Sequence, residues 1–109
     1  MACNSKLPTL EGFDREAWLN DPSGCNADRI DLKASFEDIQ DKLLGLNQNE
    51  ISELLGIPDE HELYKRSQKF FFYYLEPGPK CEQPTENAMR LQIRFSAMGI
   101  ANELFIENL

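Results

Sequence analysis

The chain has 109 residues, 41% of them hydrophobic and 28% charged, with a formal net charge of −8 at pH 7. That length fits one domain, able to bury about two thirds of its unfolded surface around a single core. The acidic balance argues against a nucleic-acid binder, which needs a basic surface to neutralise phosphates, and disfavours attachment to anionic lipid head groups. No stretch approaches the roughly 18 apolar residues that span a bilayer. No complete signal peptide is visible either, so an exported form would have carried its signal ahead of these residues.

Residues 1–12 have no periodicity and are expected to form a tether ahead of a single domain covering 13–109. Two readings fit Met1, Ala2 and Cys3. One is an ordinary cytosolic start with an incidental cysteine. In the other, Cys3 is the lipid-accepting cysteine of a bacterial lipoprotein, and Ala2 is the small residue a signal peptidase requires before its cut. Three cysteines make one pair and one remainder. In an oxidising compartment that remainder needs an explanation, and lipidation of Cys3 supplies one.

Asp14 before Arg15, Glu16, Ala17, Trp18 and Leu19 predicts a capped helical turn, with Phe13 and Trp18 able to pack onto the main body. Trp18 reads as a plug over one end of the core, with ligand stacking as the alternative. Asp21, Pro22, Ser23 and Gly24 form a turn cluster, which places Cys25 on a loop. Over residues 29–44, Leu32, Phe36, Ile39 and Leu43 recur at spacings of four, three and four, the stripe of an amphipathic helix. Ser35 with Asp38 three on is a second start signal, so the segment is either one helix or two pieces meeting near Ala34. Gly45 can take the left-handed conformation that closes this helix, and Asn47 with Glu50 is an Asn-x-x-Glu capping box, starting the next helix at Gln48. Ile51, Leu54 and Leu55 share one face of that helix. Gly56 caps its end and Pro58 forbids continuation.

Asp59, Glu60, His61 and Glu62 contain the only histidine. One histidine beside exposed acids falls short of the three converging ligands a metal needs, so neither metal nor cofactor is expected. A short edge strand begins near Glu62, with 65–68 as a polar turn. Residues 69–75 form the strongest strand, aromatic on both faces, so its outer face is either covered or offered to a partner. Residues 76–85 form a long irregular connection with three prolines, which cannot sit in a central strand, and Cys81 lies within it. Met89, Leu91, Ile93 and Phe95 alternate with Arg90, Gln92 and Arg94, a half-buried strand. Gly99 sits in the following hairpin, and Ile100, Asn102, Leu104 and Ile106 share one face of the last strand. Pairing Phe95 with Ile100 would set Leu91 opposite Leu104, Gln92 opposite Glu103 and Arg90 opposite Phe105. Arginines would then lie beside aromatics of the preceding strand, within cation–π reach. The architecture expected is α+β, a helix hairpin packed on one face of an antiparallel sheet of three to four strands.

Leu44 and Gly45, Glu50 and Ile51, the run Leu54, Leu55, Gly56, Ile57, Pro58 and Asp59, the tyrosine-rich strand and residues 95–99 resemble the SmpA/OmlA (BamE-like) family of small bacterial envelope lipoproteins. The repeats of β-lactamase inhibitor protein share that family's fold. The resemblance covers about residues 32–109. It implies two helices on an antiparallel sheet, an envelope location facing the periplasm, and a membrane connection only through a lipid anchor. Trp18, Asp21, Cys25 and Arg29 look similar to lipoproteins built on the same core. The resemblance also strengthens a disulfide between Cys25 and Cys81, absent if the protein is cytosolic, which would close a loop of more than about fifty residues.

Catalysis is not expected. The chain has no phosphate-binding glycine loop, no nucleophile elbow and no paired cysteine and histidine, and its carboxylates fall on solvent-facing positions. The expected role is an interaction module that binds an envelope protein through the outer sheet face. Phe71 and Tyr73, or the alternate set Phe70, Phe72 and Tyr74, would serve there with Arg90, Arg94 and Phe105. Two further classes are an inhibitor that plugs an envelope hydrolase with the loop at 76–87, and a small-molecule or lipid carrier. Equally, the segment with Phe13 and Trp18 could fold back over the outer face and close it.

Overall fold

The computed structural model describes residues 7–63 and 69–109, so Cys3 and the turn expected at 65–68 lie outside the described residues. Helix α1 (Arg15–Leu19) is followed by two 3-10 turns (Pro22–Gly24 and Ile30–Leu32), then α2 (Lys33–Leu43) and α3 (Gln48–Leu55). Four strands follow: β1 (Glu60–Leu63), β2 (Lys69–Tyr74), β3 (Met89–Phe95) and β4 (Ala101–Asn108). They form one antiparallel sheet in chain order, which leaves β1 and β4 as its edges. The fold is α+β, with the helices on one side of a meander. No described helix is long and apolar enough to cross a membrane.

Each helix boundary has its local cause. The Asp14 carboxylate accepts from Ala17 N at 3.1 Å and starts α1. The amphipathic segment is in two pieces, with the break between Leu32 and Lys33, close to the expected Ala34. Phe36, Ile39 and Leu43 of its stripe are buried. Gly45, at φ +91°, turns the chain out of α2. The capping box of α3 is complete: Asn47 Oδ1 accepts from Glu50 N and Glu50 Oε1 accepts from Asn47 N, both at 2.9 Å. Replacing Asn47 with alanine is expected to cost about 1 kcal/mol in urea unfolding. Gly56 at φ +86° ends the helix.

A two-turn helix is marginal alone, and α3 is held by its carboxyl end as well as by its apolar face. Ser52 O accepts from Gly56 N, Arg15 donates to the carbonyls of Glu53 and Leu54, and Trp18 Nε1 donates to Leu55 O at 3.0 Å. Tyr73 Oη donates to Gly56 O at 2.8 Å. The carbonyls that a helix end leaves orphaned are thus filled by α1 and β2.

The inner sheet face carries Phe71, Tyr73, Leu75, Leu91, Ile93, Phe95 and Ala101 into one core with Phe36, Ile39, Leu43, Ile51, Leu54 and Leu55. Phe13 and Trp18 belong to this core, and Trp18 stacks on Phe36 at 5.7 Å and meets Tyr73 at 5.9 Å. Trp18 is fully buried, as a plug should be. The segment with Phe13 and Trp18 therefore seals the helical side, away from the outer face. Residues 7–12 are irregular as expected, yet Leu7 and Leu10 rest against the core and Lys42 Nζ donates to Thr9 O, so this stretch is laid onto the domain.

The last hairpin differs from the expected register. Phe95 faces Ala101, and beyond it Arg94 faces Glu103, Gln92 faces Phe105 and Leu91 faces Ile106. Asn102 is the extra residue of a β-bulge. The bulge removes a polar side chain from the inner face, lets Ala101 take the buried place meant for Ile100, and leaves both Ile100 and Asn102 exposed. The displacement is by two residues over most of β4, so Leu104 and Ile106 stay on the inner side.

Candidate functional site

Strand alternation decides which aromatics accompany the arginines. Phe71 (6% exposed) and Tyr73 (0%) point into the core, so they cannot belong to an outer docking face. The alternate set, Phe70, Phe72 and Tyr74, shares the outer face with Arg90, Gln92 and Arg94, because these residues pair directly across β2 and β3.

A cross-sheet ladder orders that face. The Arg90 guanidinium lies 3.9 Å from the Phe72 ring centre and 5.9 Å from that of Tyr74. Its Nε donates to Glu107 of β4 at 2.8 Å and its Nη1 approaches Glu60 of β1 at 3.5 Å. Tyr74 Oη donates to the other Glu60 oxygen at 3.1 Å. One arginine thus links all four strands, and Phe72 and Tyr74 are buried beneath the charged layer. Toward the β3–β4 hairpin the face is more open. There Arg94 Nη1 pairs with Glu103 at 2.9 Å, its Nε is buried without a hydrogen-bond partner among the described residues, and Phe105 on β4 is 42% exposed. The sequence anticipates Arg90, Arg94 and Phe105 on one face, and the structure brings them there.

At the opposite end of the sheet a buried ion pair closes the domain, which the sequence reading did not find. Arg29, 2% exposed, donates from Nη1 to Asp59 Oδ2 at 2.8 Å and to Tyr74 O at 3.2 Å, and from Nε to Trp18 O at 3.0 Å. Its guanidinium also stands 4.6 Å from the Trp18 ring centre. Asp59 accepts further from Ser23 N at 2.9 Å and Tyr74 N at 2.8 Å. Asp21, fully buried, accepts from the backbone N–H groups of Asn26, Asp28 and Arg29 and so fixes the loop that presents the arginine. These groups satisfy one another, which marks a structural lock. Beside it a Cys25–Cys81 disulfide joins the first loop to the loop at 76–87.

Burial, and next the Asp59 carboxylate, push the Tyr73 hydroxyl far above its ordinary range; burial and Glu60 raise that of Tyr74. Both shifts favour the neutral phenol in the folded state. Their stabilising contribution is whole below the unfolded value near 10 and is lost as pH rises beyond it, where the unfolded chain binds fewer protons. Stability should fall above pH ~10, by up to about 1.4 kcal/mol per pH unit from Tyr73. Tyr73→Phe should flatten that slope in urea titrations between neutral and alkaline pH.

His61 and Glu62 are exposed on an edge strand, and no group of three histidine, cysteine, aspartate or glutamate side chains converges among the described residues.

No family model matches the chain, and no solved structure matches it. Among curated proteins the chain is similar to Beta-galactosidase Bga of Halorubrum lacusprofundi, 31% identical over 109 residues. That similarity covers 84% of this chain but spans only 14% of the length of the glycosidase.

Proposed function

We propose that the chain is a non-catalytic protein-binding module of the bacterial cell envelope, docking through the hairpin end of its outer sheet face. The observation that carries this reading is Phe105, 42% exposed, next to Arg94, whose side chain is 34% exposed. Aromatic and arginine side chains dominate interface energies. The Cys25–Cys81 disulfide supports the location, since such bonds persist in oxidising compartments. Lipidation at Cys3 and the resemblance to SmpA/OmlA proteins belong to the same reading. The glycosidase match covers too little of that protein to bring its activity here.

The test uses the whole chain as bait in cross-linked envelope fractions, beside Arg94→Ala and Phe105→Ala. The expected result is a partner captured by the native chain and lost with both variants at unchanged melting temperature. Equal capture by all three, or conversion of a substrate by the purified protein, would overturn the proposal.

A second reading has one observation in its favour. The disulfide pins the loop at 76–87, and Gly78 N donates to Ser23 O at 3.0 Å beside it, so a projecting loop is held in place as an inhibitor's must be. Shortening residues 82–86 would then abolish inhibition of an envelope hydrolase while leaving the melting temperature intact.

A further inference from the structure

The last strand is an edge, and only its beginning is occupied. Ala101 N donates to Leu46 O at 2.8 Å and Ala101 O accepts from Gly45 N at 2.9 Å, so the turn between α2 and α3 covers the edge there. Antiparallel pairs alternate between those that exchange hydrogen bonds and those that do not. Ala101 bonds outward, so the inner-face pairs Phe95–Ala101, Ile93–Leu104 and Leu91–Ile106 are of the second kind. Leu104 and Ile106 therefore direct N–H and C=O away from β3, and no strand lies beyond β4 among the described residues.

Along this open edge runs a trough. Two adjoining depressions of about 300 and 620 Å³ lie between α2 and β4 and share Gln40, Leu104 and Phe105. Their floor is apolar, from Leu44, Met89, Leu104 and Ile106, and their rim is acidic, from Glu37, Asp41 and Glu103. The one basic residue of the lining, Lys33, is already paired with Glu37 at 3.4 Å. Asp41 is exposed and makes no ion pair among the described residues.

We propose that this edge takes up an extended peptide segment of alternating apolar and basic residues as an added strand. The inference rests on the protein-binding reading above and supplies the partner's chemistry. Main-chain hydrogen bonds to Leu104 and Ile106 provide the attachment common to strand addition. Apolar side chains on one side of the incoming strand continue the Leu104 and Ile106 floor beside α2. Basic ones on the other side lie over Phe105 and Glu103, within a chain of net charge −8. A second copy is the poorer occupant, because β4-to-β4 pairing would bring two acidic rims together.

The test is fluorescence anisotropy with a labelled peptide of alternating valine and lysine, against one of alternating valine and glutamate. The valine–lysine peptide is expected to bind saturably and several-fold more weakly at high salt, with no binding by the glutamate peptide. Glu103→Lys, at an exposed position of β4 on the side that the basic residues take, should weaken it at least about tenfold. Ile106→Pro removes an outward N–H that β3 does not use and should abolish binding. Should that variant not fold, the charge-reversal variant decides. Absent binding, equal binding of both peptides, indifference to charge reversal, or a dimer by sedimentation that Ile106→Pro disrupts would each overturn the proposal. If it fails while envelope capture still depends on Arg94, strand addition alone falls. If the peptide binds and capture ignores Arg94 and Phe105, the outer-face reading falls instead.

Discussion

Replacing Asp59 with alanine is expected to destabilise the fold by about 3–5 kcal/mol. Asp59 and Arg29 have side chains only 5% and 3% exposed, so the cost of withdrawing both charges from water is already met in the folded state. Removing the carboxylate leaves a guanidinium buried against Trp18 without its counter-charge. It also strands the N–H groups of Ser23 and Tyr74, which have no other described acceptor. A domain of this size has about 5–15 kcal/mol in total, so the variant should unfold at markedly lower urea, with an unchanged slope if it remains two-state. The double change Arg29→Met with Asp59→Leu should cost less than the sum of the single changes, because an apolar pair does not leave a lone charge inside. A loss below about 1 kcal/mol for Asp59→Ala would mean that water reaches the arginine in solution.

Removing the Cys25–Cys81 bridge, by changing both residues to serine, is expected to cost about 4 kcal/mol in the chain-entropy model and on the order of 20 °C in melting temperature. The size of the effect comes from the span, 56 residues, which the unfolded chain is otherwise free to explore. The bridge and the ion pair act on the same place. Ser23 donates to Asp59, and Gly24 next to it sits so close to the end of β2 that an added Cβ would come within 2.9 Å of Tyr74 O. Combining Asp59→Ala with loss of the bridge should therefore depart from additivity, since both changes release the same loop. Thermal melts of oxidised and reduced protein would check the first effect, and a double-mutant cycle the second.

Most of the architecture was legible because the signals were local. The Asn47–Glu50 box, Gly45 and Gly56 fix helix ends by what a few neighbouring residues can do, and the alternation through residues 89–95 fixes a face by period alone. The four strands follow from such runs. Distance in the sequence marks what was not legible. Arg29 and Asp59 look like ordinary surface charges at a helix start and after a proline, and only the folded chain brings them together. The composition of residues 69–75 is aromatic at both parities, so nothing local says that Phe71 and Tyr73 go inward while Phe72 and Tyr74 go outward. The bulge at Asn102 carried one faint signal, a polar residue in an otherwise apolar set. A strand with that defect is relieved by inserting a residue, and the register moves accordingly.

The meander joins each strand only to its neighbours in the chain, so the sheet can assemble by successive short closures, whereas the bridge must wait for residues 56 apart. In the disordered chain Cys3 is a nearer mate for Cys25, favoured over Cys81 by about 0.8 kcal/mol of loop entropy. Oxidation before folding thus tends toward the wrong pair, and oxidation after the sheet has formed toward the right one. Blocking the Cys3 thiol chemically removes that competition and should raise the yield of the Cys25–Cys81 pair on oxidation of the unfolded chain.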